Sequence, residues 1–130
     1  MTNQPDEAVH GNVLVIESDA KCGRIISDLL SGAGYDMLLV ADREMANTAL
    51  EQNVYDFIIL DPSIYGTCVS QFLWTFAGSG STMASVIVIT AAEDIEEQAH
   101  QTGARHWLRK PFEPSDVLMA IRRLSRFTAT

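Results

Sequence analysis

Two acidic residues bracket a serine where an apolar run near the start of the chain gives way to polar residues. The stretch VLVIESDAK (13–21) places Glu17, Ser18 and Asp19 directly after VLVI. Carboxylates at the end of a strand can bind a hard divalent cation such as Mg²⁺. An aspartate before a helix can instead act as an N-cap, accepting hydrogen bonds from the first free backbone N–H groups. The residue types alone leave both roles open.

Three further polar residues follow apolar runs in the same way. Asp61 follows FIIL, Thr90 follows VIVI, and Lys110 follows HWLR. An aspartate can act as a nucleophile and form an aspartyl-phosphate, while a hydroxyl and an ammonium group can hold phosphoryl oxygens. Each residue also has a plainer explanation. Asp61 before Pro62 is an ordinary turn sequence, Thr90 could cap a following helix, and Lys110 could be a solvated lysine at a sheet edge.

The apolar runs predict the strands that would position these residues. Four runs are continuously apolar, which is typical of parallel strands buried on both faces. They are VLVI (13–16), MLLV (37–40), FIIL (57–60) and VIVI (86–89), and the weaker run HWLR (106–109) adds an edge strand. Helical periodicity predicts the helices, which are expected over 20–31, 43–52, 68–77, 93–101 and 114–126.

Strand and helix alternate five times along the chain. This order predicts an α/β fold with one doubly wound, five-stranded parallel sheet and helices on both faces. Ligands of such sheets bind at the carboxyl ends of the strands, near the topological switch point. We therefore expect Glu17, Asp61 and Lys110 to meet at one edge of the sheet, together with Thr90.

Length and composition exclude several classes of protein. The chain has 130 residues, a formal net charge of -8 and 47% apolar residues, which indicates one globular domain and argues against binding nucleic acid or an anionic membrane by bulk charge. No apolar run approaches the roughly 20 residues of a membrane helix. The two cysteines form no zinc pattern, and we expect reduced thiols in a cytoplasmic protein. We expect the domain to span 12–126, between a flexible tail at 1–11 and a short tail at 127–130.

The four polar strand ends, taken in order, resemble one known family. VLVIESDAK, YDFIILDPSIYG, VIVITA and GARHWLRKPFEPSDVLMAI are similar to the receiver domain of two-component response regulators, over roughly residues 12–125. The resemblance implies a flavodoxin-like (CheY-like) sheet of strand order 2-1-3-4-5 with five helices. It also implies a phosphoacceptor switch that at most catalyses its own phosphoryl transfer and dephosphorylation.

The resemblance also assigns roles to the residues around the metal and the phosphoryl group. Asp61 matches the aspartate that accepts a phosphoryl group from a kinase phosphohistidine. Glu17 and Ser18 match the acidic pair near Mg²⁺, with Ser18 as a weak neutral ligand, and Ser63 matches the residue whose backbone carbonyl binds the metal. Lys110 matches the phosphate-binding lysine.

Three more positions match residues that surround the switch. Thr90 matches the switch hydroxyl, Pro111 matches the proline of a cis peptide bond, and Trp107 matches the aromatic switch position. The residue pattern alone favours a packed edge-strand aromatic about equally for Trp107. The implied partners are a histidine kinase or phosphotransfer protein and a downstream protein or output domain. They would bind through the face formed by the fourth predicted helix (93–101), the fifth strand (106–109) and the fifth predicted helix (114–126), here called helix 4, strand 5 and helix 5. The same face could also form a homodimer.

Two departures from the family pattern bear on function. Ser18 replaces an acid that usually binds the metal, so we expect weakened Mg²⁺ binding, with Glu17 and Asp61 as the remaining carboxylates. Tyr65 stands where the family often has proline. These departures leave an alternative, a pseudo-receiver that binds partners without phosphorylation.

Overall fold

The computed structural model describes residues 11–65, 76, 85–91, 93, 97, 104 and 106–128, with the backbone alone after Leu124. Within these residues, five parallel strands form one sheet of order β2-β1-β3-β4-β5. The strands are β1 (Asn12–Ile16), β2 (Asp36–Val40), β3 (Phe57–Leu60), β4 (Val86–Thr90) and β5 (His106–Arg109). The predicted fold class and strand order are confirmed.

Two of the described helices connect successive strands, and the third follows the last strand, as expected. They are α1 (Ala20–Gly32), α2 (Arg43–Gln52) and α3 (Pro114–Thr128), with a 3-10 helix (Pro62–Tyr65) after β3. The helices predicted over 68–77 and 93–101 lie outside the described residues, apart from Phe76 and Glu97, which are helical, and Glu93, which lies in a turn. None of the described helices is long and apolar enough to cross a membrane.

Apolar side chains fill both faces of the sheet. The α2-side core joins alternate residues of β1, β3 and β4 to Ala46, Ala49 and Leu50 of α2. The α1/α3-side core joins the intervening strand residues to α1 and α3, through side chains such as Ile26 and Ile121. A fully buried leucine or isoleucine contributes about 1.5–3 kcal/mol. The two cores therefore hold the strand ends, and the polar residues that follow them, in fixed positions.

β2 differs from the expectation of strands buried on both faces. β1, β3 and β4 are buried beyond their first residues, but Leu38 of β2 is 44% exposed. The physical reason is the strand order, which places β2 at an edge of the sheet. Met37 and Leu39 pack against the α1/α3-side core, whereas Leu38 faces the other way.

His106 predicts a pH dependence of stability outside the polar edge. Burial on β5, and then the charge of Arg123 on α3, hold the pKa of His106 below its ordinary value of 6.5. Because the pKa of His106 is lower in the folded protein than in the unfolded chain, protonation of His106 destabilises the fold. The stability that depends on neutral His106 is present above pH 6.5 and is lost as the pH falls through the folded pKa. Urea unfolding over this range should therefore show a smaller loss of stability in His106→Gln than in the wild type. Identical pH profiles would contradict this assignment.

Candidate functional site

Glu17 and Asp61 lie side by side at the carboxyl edge of the sheet. Each follows the last residue of a strand, and the backbone hydrogen bonds continue through both. The Glu17 N–H donates to the Val40 carbonyl at 3.0 Å, and the Asp61 N–H donates to the Ile16 carbonyl at 2.9 Å. The two residues are only 2% and 4% exposed. Neighbouring parallel strands thus hold two buried acidic side chains together.

Lys110 bridges these two carboxylates. Its backbone N–H donates to the Thr90 carbonyl at 2.8 Å, which fixes the residue just beyond β5. Its Nζ lies 2.6 Å from Oε1 of Glu17 and 2.8 Å from Oδ2 of Asp61. Only the contact with Asp61 has hydrogen-bond geometry, so Oε1 of Glu17 is paired by charge but accepts no hydrogen bond from the described residues. The two carboxylates and the single ammonium group together therefore carry an excess of one negative charge.

The bridge controls the protonation of Asp61 and Lys110. Burial alone would raise the pKa of Asp61, but hydrogen bonds from Lys110 and Ser63 outweigh it and hold the pKa below its ordinary value of 3.8. Burial alone would lower the pKa of Lys110, but its hydrogen bond to Asp61 and its close contact with the charged Glu17 raise the pKa above 10.5. At neutral pH Asp61 is ionised and Lys110 is charged, which suits a nucleophile beside an anion-binding group.

The turn after Asp61 supports its carboxylate from the other side. The Ser63 N–H donates to Oδ1 of Asp61 at 2.9 Å, and the Ile64 N–H donates to the Asp61 carbonyl at 3.3 Å. Ser63 is exposed and lies in the 3-10 helix that begins at Pro62. Asp61 therefore accepts one hydrogen bond on each carboxylate oxygen, which fixes the orientation of its side chain.

The sequence left open whether the acids after β1 lie at a metal site or cap a helix, and the structure gives Glu17 and Asp19 different positions. Asp19 is the N-cap of α1, and its side chain accepts from the Lys21 and Cys22 N–H groups. The Asp19 N–H in turn donates to Oε2 of Glu17 at 3.1 Å. Glu17 is buried beside Asp61, whereas Ser18 is exposed between them and the cap. The strand end thus combines a buried carboxylate at the site with a helix cap.

Substitution of Asp19 tests this division. Asp19→Ala should lower the free energy of unfolding by about 1 kcal/mol, because two helix N–H groups lose their acceptor. Asp19→Asn keeps an acceptor and should change stability little. Urea unfolding measures both effects, and Asp42→Ala, which removes the corresponding cap of α2, is the matched control. Equal stability of Asp19→Ala and the wild type would rule out the capping role.

Thr90 and Pro111 adjoin Lys110, and Trp107 lies on β5 three residues before it. Thr90 is 3% exposed at the end of β4. Trp107 is 42% exposed, because alternate residues of the edge strand β5 face outward, and its role as a packed or a switch aromatic stays a prediction. The Lys110–Pro111 peptide bond is cis.

Sequence reasoning missed two contacts of Glu17. Lys110 was expected to hold phosphoryl oxygens, but it also pairs with Glu17. Cys22 lies beside Glu17 on the first turn of α1, where burial and then the Glu17 charge raise the pKa of its thiol to about 12. The thiol is therefore protonated at neutral pH. The position of Cys22, three residues after the capping Asp19, was the available indication that it faces the strand end.

The oxygen donors at this edge fit a hard divalent cation. Glu17 and Asp61 supply carboxylates, and Oε1 of Glu17 is buried without a hydrogen bond from the described residues. Mg²⁺ is commonly bound by one or two carboxylates together with water and phosphate oxygens. In the part of the chain that the structure describes, no cluster of three or more His, Cys, Asp or Glu side chains is arranged to hold a metal. The donor set therefore suits Mg²⁺ that keeps bound water.

Comparison with known proteins decides the family. Residues 13–122 match the family described as the response regulator receiver domain. The chain belongs to this family. Its members act as phosphoacceptor switches in two-component signal transduction, and the chain is thus a receiver domain of that signalling class.

Individual relatives agree with this assignment. The DNA-binding response regulator MtrA of Mycobacterium tuberculosis is 26% identical over 121 residues, which are 89% of this chain and 51% of MtrA. The receiver domain thus spans about half the length of the curated relatives that it matches. The structure of a response regulator receiver protein from Burkholderia phymatum has a TM-score of 0.73 at 28% identity, and the match covers 88% of this chain and 94% of that one.

A further solved structure shares the fold. The receiver domain of the sensor histidine kinase PA1611 from Pseudomonas aeruginosa has a TM-score of 0.73 at 23% identity. The match covers 90% of this chain and 98% of that one. That structure contains a magnesium ion coordinated in its active site cleft.

Proposed function

We propose that the receiver domain accepts a phosphoryl group on Asp61 from the phosphohistidine of a histidine kinase or a phosphotransfer protein. The observation that carries this proposal is the environment of Asp61. Its carboxylate is ionised, 4% exposed and fixed at the carboxyl edge of the sheet, with Nζ of Lys110 2.8 Å from Oδ2. A buried, oriented carboxylate beside a cation is suited to attack an anionic phosphorus centre.

The transfer balances without any further reactant. A carboxylate oxygen of Asp61 forms a bond to phosphorus, and the phosphorus–nitrogen bond of the phosphohistidine breaks. The electron pair of that bond stays with the imidazole of the donor, and the product is an acyl phosphate on Asp61. Lys110 offsets the negative charge of the phosphoryl oxygens, while the Ser63 N–H keeps the Asp61 side chain oriented. In dephosphorylation, a water oxygen would attack phosphorus, the bond between phosphorus and the Asp61 oxygen would break, and inorganic phosphate would leave while Asp61 returns to a carboxylate.

Mg²⁺ is the cofactor that this site would take. Glu17, Asp61 and the Ser63 carbonyl would hold it, and Ser18 would add at most a neutral oxygen. When bound, the ion neutralises charge on the phosphoryl oxygens. The magnesium in the receiver domain of PA1611 supports this choice by analogy of fold. Because Ser18 brings no charge, the proposed binding is weak.

The proposed output is a shift in partner binding. Thr90 and Lys110 would engage the new phosphoryl oxygens, and Trp107 on β5 would change its environment as the switch responds. The partners would be a downstream protein or output domain, bound at the face of helix 4, strand 5 and helix 5, or a second receiver domain at the same face. Of the three elements of this face, the structure describes strand 5, which is β5, and helix 5, which is α3. The reaction would take place in the cytoplasm.

Two expectations about partners remain predictions. MtrA is named a DNA-binding protein, but the receiver domain matches only half of its length. Direct contact with nucleic acid is still not expected, because the net charge of this chain is -8. The alternative of a pseudo-receiver gains no support from the relatives, which are response regulators.

Intact-mass spectrometry tests the proposal. Incubation with a small phosphodonor such as phosphoramidate and saturating Mg²⁺ should add one phosphoryl group per chain. Hydroxylamine, which cleaves acyl phosphates, should remove the adduct, and chelation of Mg²⁺ beforehand should prevent it. Absence of any adduct at saturating Mg²⁺ would overturn the proposal and favour a module that binds partners without phosphorylation.

A further inference from the structure

The turn that follows Asp61 is tied to a helix outside the site. The 3-10 helix ends in Tyr65, whose hydroxyl donates to Oδ1 of Asn47 at 3.2 Å. Asn47 lies half-buried on α2, 18 residues earlier in the chain. Tyr65 is 2% exposed and packs in the α2-side core. One side chain therefore connects the turn to a helix that carries none of the site residues named above.

The same turn is fixed to Asp61 at its other end. The Ser63 N–H donates to Oδ1 of Asp61, and the Ile64 N–H donates to the Asp61 carbonyl. The turn also packs against β4, the strand that ends in Thr90. Because a single residue separates Tyr65 from Ser63, a displacement of Tyr65 is transmitted to the group that orients Asp61.

The Tyr65 hydroxyl is a defined hydrogen-bond donor. Burial raises the pKa of Tyr65 to about 12, although the charge of Arg43 lowers it in part. The hydroxyl is therefore protonated at neutral pH and can donate to Asn47. A buried hydroxyl that loses its partner destabilises the arrangement by more than the hydrogen bond contributed, so the contact favours one position of the turn.

We propose that Tyr65 is a positioning residue for the phosphorylation site, acting through its hydrogen bond to Asn47. This bond anchors the turn to α2 and holds Ser63 where its N–H supports Asp61 and its carbonyl is available to a cation. The effect on the cation rests on the proposed function, whereas the support of Asp61 by the Ser63 N–H does not.

Two variants that remove the same hydrogen bond test the proposal. Tyr65→Phe keeps the ring in the core, and Asn47→Ala removes the acceptor. Each should weaken Mg²⁺ binding, measured by calorimetry, by about threefold or more, the equivalent of a modest hydrogen bond. The Ser63 amide should exchange its hydrogen faster by a similar factor. The double variant should bind Mg²⁺ as well as the single variant with the lower affinity, because all three variants lose the same hydrogen bond.

The Lys21 amide is the internal control for exchange. It also donates to an aspartate side chain, that of Asp19, but it is not part of the turn. Its exchange should be unchanged in all three variants. Variants that lose stability while Mg²⁺ affinity and Ser63 exchange stay at wild-type values would show a purely structural role and overturn the proposal. Additive losses in the double variant would overturn it as well. If the wild type binds no Mg²⁺, the proposed cation site fails, and Ser63 exchange alone decides the positioning role.

Discussion

Asp61→Asn should abolish the phosphoryl adduct completely. Asparagine has the same shape and can still accept a hydrogen bond from Lys110 or Ser63, but its amide is not a nucleophile toward phosphorus. The loss would therefore be one of chemistry and not of packing. Intact-mass spectrometry of the variant, incubated with phosphodonor and Mg²⁺ beside the wild type, measures the effect.

Asp28→Asn is the matched control for this experiment. Asp28 is an exposed aspartate of α1, and the same substitution there removes one negative charge without touching the site. This variant should carry the adduct at the wild-type level. Urea unfolding of Asp61→Asn should show a cooperative transition, which excludes loss of the adduct by unfolding. A wild-type amount of adduct on Asp61→Asn would mean that another residue is the acceptor.

The second large effect is expected at Ser18. Ser18→Asp adds a third carboxylate beside Glu17 and Asp61, in a site that already has an excess of negative charge. Two unit charges about 4 Å apart interact by about 1 kcal/mol in water and more near a protein surface, and a divalent ion doubles this value. Because Ser18 is exposed, the lower end applies, and the Kd for Mg²⁺ should fall by about tenfold or more.

Ser18→Asn separates the charge from the added oxygen. Asparagine has nearly the shape of aspartate but no charge, so its affinity for Mg²⁺ should stay close to that of the wild type. The advantage of Ser18→Asp should also shrink as ionic strength rises, because exposed charges are screened. Calorimetric titration measures all three proteins. Equal affinities for Ser18→Asp and the wild type would place the cation away from this position.

The bounds of the strands could be predicted closely from the sequence, but the exposure of β2 could not. β3 and β5 have the predicted bounds, and β1 begins one residue earlier than VLVI. A short run of valine, isoleucine and leucine bounded by polar residues is typical of a buried parallel strand. The exposure of Leu38 depends on which strands lie at the edges, and this follows from pairing across the whole sheet rather than from the local pattern.

The membership of the site could be predicted, but its contacts could not. The rule that ligands bind at carboxyl ends of parallel strands brings Glu17, Asp61 and Lys110 together from their positions alone. The bridge from Lys110 to both carboxylates depends on the path of the chain after β5. The bond from Tyr65 to Asn47 depends on how α2 packs beside the turn, and no periodicity relates two residues in different elements.

Chemical localisation of the phosphoryl group tests the central claim most directly. Borohydride reduces an aspartyl-phosphate to homoserine, so phosphorylated protein can be reduced, digested and sequenced by peptide mass spectrometry. Phosphoryl transfer to Asp61 predicts homoserine at position 61 and nowhere else, with unmodified aspartate at position 19. Homoserine at another aspartate, or none in protein that carries the adduct, would contradict the assignment of Asp61 as the phosphoacceptor.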